Sequence, residues 1–172
     1  GDRNGPRDIY VKPASGATPE EPLYASKALF KDPSSWSVDG KSVVFDDLDS
    51  KTNRDLWVLP VDGDRKPTLY MRTPFNEQSG AISPDGRWMA YASDESGRLE
   101  IYVDSFPTPR NKYRVTTAGG ATVRWRKDGK ELMTTSLDGR SVLLADVLPG
   151  PEFKTATPRP ALRKAEPVDD RL

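Results

Sequence analysis

Short apolar runs separated by polar, glycine-containing turns fill this chain, and the same order of runs comes round three times. Ser35-Trp36-Ser37-Val38-Asp39-Gly40-Lys41 leads into Val43-Val44-Phe45. Ala81-Ile82-Ser83-Pro84-Asp85-Gly86-Arg87 leads into Met89-Ala90-Tyr91, and Arg124-Trp125-Arg126-Lys127-Asp128-Gly129-Lys130 into Leu132-Met133. The Asp-Gly pairs at 39, 85 and 128 are spaced by 46 and 43 residues. Each period has room for four short strands and their turns. An aromatic or aliphatic residue ends one strand, and Asp-Gly then supplies the positive φ that a tight hairpin needs. The next strand, as in Trp88-Met89-Ala90-Tyr91-Ala92, is apolar on both faces, as a strand sandwiched between two sheets must be. Third strands follow at Asp55–Leu59, Glu100–Val103 and Ser141–Ala145, and fourth strands at Pro67–Met71 and Lys112–Thr116.

The first residues match the middle of this unit. Asp2 to Val11 aligns with Asp94 to Val103, two periods away, so the chain is expected to enter at a third strand. Pro158 to Arg163 reads as a last outer strand, and Glu166 to Asp170 as the start of the next connector. The expected fold is all-β: four-stranded antiparallel meanders stacked as the blades of a β-propeller. The expected division is the outer half of a blade at 1–26, blades at 27–73, 74–117 and 118–165, and a tail at 166–172. Three and a half blades make an open arc, with strands around Ile9 and Leu23 lacking inner partners. Closure by association with further copies is therefore expected.

Composition narrows the chemistry. The 172 residues suffice for one core, and abundant turn formers (13 Gly, 16 Pro) suit many short strands. Twenty-six basic residues balance twenty-six acidic ones, which gives no general attraction to nucleic acid or anionic lipid. No apolar run approaches a membrane-spanning length, so no membrane insertion is expected. Histidine and cysteine are absent. That removes disulfides, thiolate nucleophiles, Ser-His-Asp triads and the common zinc sites.

The segment Ile82-Ser83-Pro84-Asp85-Gly86-Arg87 resembles the repeat of TolB-like β-propellers, with its aromatic-Ser-Pro-Asp-Gly-basic hallmark. Trp36–Lys41 departs from it at Val38, and Trp125–Lys130 at Arg126 and Lys127. Thr73-Pro74-Phe75-Asn76-Glu77, with Phe106-Pro107 and Arg124-Trp125-Arg126, is similar to propellers fused behind bacterial Ser/Thr kinase domains. The resemblance implies a bacterial periplasmic or extracytoplasmic setting. It implies no phosphotransfer, because no kinase motif is present.

In a four-strand meander the loops after the first and third strands share one face, and those after the second and fourth share the other. Functional residues are expected on the second face and at the channel mouth. That face collects carboxylates. Asp46, Asp47 and Asp49 are placed in one loop and Asp94 and Glu95 in its equivalent, while Asp32, Asn76 and Glu77 lie on connectors into the innermost strands. Without histidine or cysteine, a metal site would be built from oxygen alone and would favour Ca²⁺, Mg²⁺ or Mn²⁺. Its candidate ligands are Asp32, Asp46, Asp47, Glu77 and Asp94. Solvated loop acids are the plainer account of the same residues. Asp39, Asp85 and Asp128 read as turn formers.

Phe75, Asn76, Glu77 and Arg124 are the candidates at the channel mouth. Trp36 and Trp125 fit either an aromatic platform there or the packing between blades, and Ile82 at their matched position favours packing. Arg124 matches Ala81 and is expected to reach into the channel. The function expected first is a binding or interaction module, a sensor or scaffold that engages protein, a small ligand or its own copies. The alternative is a promiscuous metal-dependent hydrolase of phosphoesters, phosphotriesters or activated esters, with carboxylates around an oligomeric pore.

Overall fold

The structure is a computed structural model and describes residues 8–28 and 30–161. The alignment at 2–7 and the connector at 166–170 lie outside those residues. Fourteen strands are described, all antiparallel to their neighbours, with no helix. A two-stranded sheet pairs β1 (Ile9–Val11) with β2 (Glu21–Tyr24). Three four-stranded sheets follow in simple meander order. The first holds β3 (Lys31–Trp36), β4 (Ser42–Asp49), β5 (Asn53–Pro60) and β6 (Thr68–Met71). The second holds β7 (Glu77–Ile82), β8 (Trp88–Ser93), β9 (Glu100–Ser105) and β10 (Tyr113–Arg114). The third holds β11 (Thr122–Trp125), β12 (Glu131–Thr135), β13 (Val142–Asp146) and β14 (Arg159–Pro160).

Strands β3, β7 and β11 stand side by side, so each sheet leads with its innermost strand. The core lies between sheets, where side chains of period two point alternately to the two neighbours. Val43, Phe45 and Leu59 face the two-stranded sheet and pack on Ile9 and Leu23. Val44 and Leu56 face the other way, onto Met89, Tyr91 and Tyr102. Ala90, Ala92, Ile101 and Val103 then meet Val123, Leu132, Ala145 and Phe153. The second sheet is thus apolar on both sides, as the Trp88–Ala92 run predicts.

The Asp-Gly turns take the predicted form, with φ of 74° at Gly40, 69° at Gly86 and 72° at Gly129. Ser83 Oγ donates to Asp85 Oδ1 at 2.6 Å and accepts from the Trp88 N–H at 2.9 Å, while the Arg87 N–H reaches Asp85 Oδ1 at 3.2 Å. Ser37 and Asp39 make the same circuit. In the third turn Arg126 replaces serine, and its guanidinium grips Asp128 through Nε and Nη2, both at 2.8 Å. That fork and the Lys130 N–H hold the Asp128 carboxyl down at about 2. A fourth turn, which the repeat spacing does not reveal, copies the circuit with Ser136, Asp138 and Gly139 between β12 and β13, on the opposite face.

Candidate functional site

The acids expected in the loop after the second strand sit instead on β4 itself, which runs to Asp49. Each has a partner that holds the strand together. Asp46 is buried and shares Arg54 Nη1 with Asp32, whose Oδ2 lies 3.0 Å away. The Ser79 N–H adds a bond to Asp46 Oδ1 at 3.3 Å. Burial pushes the Asp46 carboxyl up, against the pull of Arg54. Asp47 accepts the Trp57 indole N–H at 2.8 Å, and burial raises its carboxyl as well. Asp32 lies on β3 and Glu77 opens β7, so neither is a connector residue.

Asn76 does remain in a connector and clamps Asp94, with its backbone N–H on Oδ1 at 2.9 Å and its side-chain amide on Oδ2 at 2.6 Å. Phe75 beside it is exposed. Glu77 is buried, with Oε1 accepting from Thr73 Oγ1 at 2.5 Å. The five candidate metal ligands therefore divide among three places: Asp32 with Asp46, Asp47 with Trp57, and Asp94 with Asn76 near Glu77. Among the described residues no group of three carboxylates is placed to hold an ion.

One grouping is tighter than the sequence suggests. Asp32, Pro33 and Ser34 of β3, Gln78 and Ser79 of β7, Arg124 of β11, and Asp46 and Arg54 behind them line a groove of about 280 Å³. Three successive innermost strands thus contribute to one polar surface. Ser79 adopts φ of 58°, uncommon for a residue with a side chain, at the bulge where β7 slips its register against β8 between Gln78 and Ala81. The bulge aims the Ser79 N–H at Asp46. Arg124 is exposed, bonds through Nη1 only to the adjacent Val123 carbonyl at 2.8 Å, and makes no ion pair among the described residues.

The two tryptophans part company. Trp125 is half-buried, donates Nε1–H to the Ala81 carbonyl at 2.9 Å and packs edge-on against Phe153. Trp36 is 48% exposed, because no innermost strand precedes β3 among the described residues. Sequence reasoning missed Arg54, which pins Asp32 to Asp46. It also missed Asp55 and Glu100, two fully buried acids at the heads of third strands. An acid recurring at that point of the repeat, preceding Leu56-Trp57-Val58 and Ile101-Tyr102-Val103, was the available signal.

No family model matches the sequence, and no curated protein matches it either. Solved structures do. The structure of a putative TolB from Agrobacterium tumefaciens superposes with a TM-score of 0.71 at 22% identity, over 89% of this chain and 57% of that one. TolB from Acinetobacter baumannii superposes with a TM-score of 0.67 at 21% identity, over 86% of this chain and 37% of that one. The fold is that of the TolB β-propeller. The chain spans less than two thirds of the length of either neighbour.

Proposed function

We propose that this chain is a binding module, a sensor or scaffold propeller without phosphotransfer activity of its own, which takes its ligand in the groove where β3, β7 and β11 converge. The observation that carries this reading is Arg124. It is a guanidinium without a carboxylate partner among the described residues, at the edge of a polar groove whose other charges are already matched through Arg54. A guanidinium so placed offers a fork of donors to a carboxylate or phosphate. The resemblance to propellers carried behind kinase domains supports a sensing role, and the TolB fold supports an interaction role. Exposed apolar side chains on the outer face of the last described sheet, Met133 and Val142, support association with further copies or with further propeller sheet.

The test is titration of the ¹⁵N-labelled protein with an acetylated triglutamate peptide and, in parallel, a trilysine peptide. The acidic peptide should shift amides of Gln78, Ser79 and Arg124, and Arg124→Glu should abolish those shifts. Equal responses to the two peptides, or shifts confined to the Asp-Gly face, would overturn the reading.

A further inference from the structure

In three of the four repeats the third strand is headed by a carboxylate, Asp8 before β1, Asp55 in β5 and Glu100 in β9, whereas β13 follows Ser141. The repeat sets each against the start of the following sheet's first strand or the connector just before it, and the three cases differ. Asp8 meets Lys31, whose fully buried ammonium lies 3.0 Å from Asp8 Oδ1 and also reaches the carbonyls of Ser26 and Ala28 at 3.0 and 2.8 Å. Glu100 meets a Gly-Gly pair and takes the Gly119 N–H at 2.9 Å, along with Arg98, Arg114 and Thr116. Asp55 meets Glu77.

That middle case places two acids where the others have an acid and a donor. Asp55 is 0% exposed and Glu77 1%. One oxygen of each is occupied: Asp55 Oδ2 by Arg72 Nε at 2.7 Å and Thr52 Oγ1 at 2.8 Å, Glu77 Oε1 by Thr73 Oγ1 and, at 3.5 Å, Ser93 Oγ. The other oxygens, Asp55 Oδ1 and Glu77 Oε2, are buried with no hydrogen-bond partner. Arg72 and Thr73, adjacent in the chain, tether one acid each, and β5 packs against β7. Burial raises the Glu77 carboxyl, and the Asp55 charge raises it further. Asp49, Asp47 and Asp55 all act on the Arg72 guanidinium, while Lys112 and Lys51 bear on Glu77 and Asp49.

Buried acceptors without partners are rare in folded proteins, and an ion is one of the few things that satisfies them. We propose that Asp55 and Glu77 bind a divalent cation between their free oxygens, in the place that the Lys31 ammonium fills one repeat earlier. Two carboxylates completed by neutral oxygens are ligands of the hard kind that Mg²⁺ and Ca²⁺ accept. The ion would fasten the first four-stranded sheet to the second beneath the loops of the expected functional face. It differs from the ligand set read from sequence in using Asp55, and it stands apart from the Arg124 groove.

The experiment is thermal unfolding of the purified chain in chelator and after adding Mg²⁺ or Ca²⁺ alone, with Glu77→Gln and Glu77→Lys alongside. The wild type should melt several degrees higher with the ion, and Glu77→Gln should lose that response. Glu77→Lys brings its own ammonium, as at Lys31, so it should melt above the wild type in chelator and ignore the ion. A wild type indifferent to both ions overturns the site, as does a Glu77→Gln variant that responds as strongly. Stabilisation by acidification alone would mean a shared proton and overturns it too. If Glu77→Lys does not fold, the Glu77→Gln comparison and metal content by mass spectrometry decide.

Discussion

The indole N–H of Trp125 donates to the carbonyl of Ala81 at 2.9 Å, joining the innermost strands of two successive sheets. The Ala81 side chain is buried, and the Trp125 ring closes the end of the interface against Phe153. Phenylalanine at this position keeps the ring packing and removes the donor. Trp125→Phe should therefore cost about 1–2 kcal/mol, the price of a buried acceptor left unpaired. Urea unfolding followed by circular dichroism measures it, with an unchanged m value showing that the fold is kept.

Glycine is required where β7 passes closest to the first four-stranded sheet. A Cβ on Gly80 would lie 2.7 Å from Val44 Cγ1 and 3.0 Å from Leu56 Cδ2, and both those side chains are fully buried. Neither can move without disturbing packed neighbours. Gly80→Ala should destabilise by about 1–3 kcal/mol, as overpacking does. Gly120→Ala, whose Cβ would lie 2.6 Å from Ile101 Cγ1, should behave alike. Chemical denaturation of the two variants checks both, and wild-type stability in either would show that the sheets can separate locally.

Gly86 tests the other use of glycine. Its φ of 69° is strained for any β-branched residue, although nothing crowds a Cβ there. Gly86→Val should cost about 1 kcal/mol or more from backbone strain alone. The measurement is again the shift in denaturation midpoint, and the effect should be largely independent of salt.

This turn also marks how far the sequence carries. Asp-Gly at a fixed period, with strands apolar on one or both faces, identifies the meanders and their order, because both signals are local. What escapes is set by contacts between repeats. Asp46 is bonded by the Ser79 N–H from a bulge in the following sheet, and that bulge has no local sequence signature. Trp36 and Trp125 hold matched positions, yet one is 48% exposed and the other bonded to Ala81, because only one has a preceding innermost strand against it. The groove of Asp32, Gln78 and Arg124 is likewise a product of stacking, since its residues are far apart in the chain.

Glu100 links the repeat to pH. Burial alone would raise its carboxyl, but bonds from Thr116, Arg98, Gly119 and Arg114 together hold it below the ordinary glutamate range. A carboxyl lowered by folding contributes stability that is fully present above its unfolded value, about 4.3, and is lost as pH falls through the folded value. Unfolding free energy should therefore decline in acid below that point. Glu100→Gln should flatten the decline and lower stability at neutral pH by about 3 kcal/mol, since charged and backbone donors lose their anion. Denaturation across pH 3–7 in about that range tests the slope.

The last expectation concerns the ends of the arc. The third four-stranded sheet has no neighbour on its outer side among the described residues, and there Met133 and Val142 are each 42% exposed. At the other end Tyr10 is 40% exposed on β1, whose inner edge is unpaired among the described residues, and Trp36 stands open. Inside the chain the same strand positions are covered by the next sheet. An open sheet edge beside an apolar face invites association, and a propeller avoids both by closing. The 19.1 kDa chain should therefore sediment as a dimer or larger species at micromolar concentration. Met133→Glu, on the outer face opposite Leu144, places a charge in that contact without entering the core. It should shift the population toward monomer while leaving the circular dichroism spectrum unchanged. A wild-type chain that sediments as a monodisperse, cooperatively unfolding monomer would exclude closure by further copies.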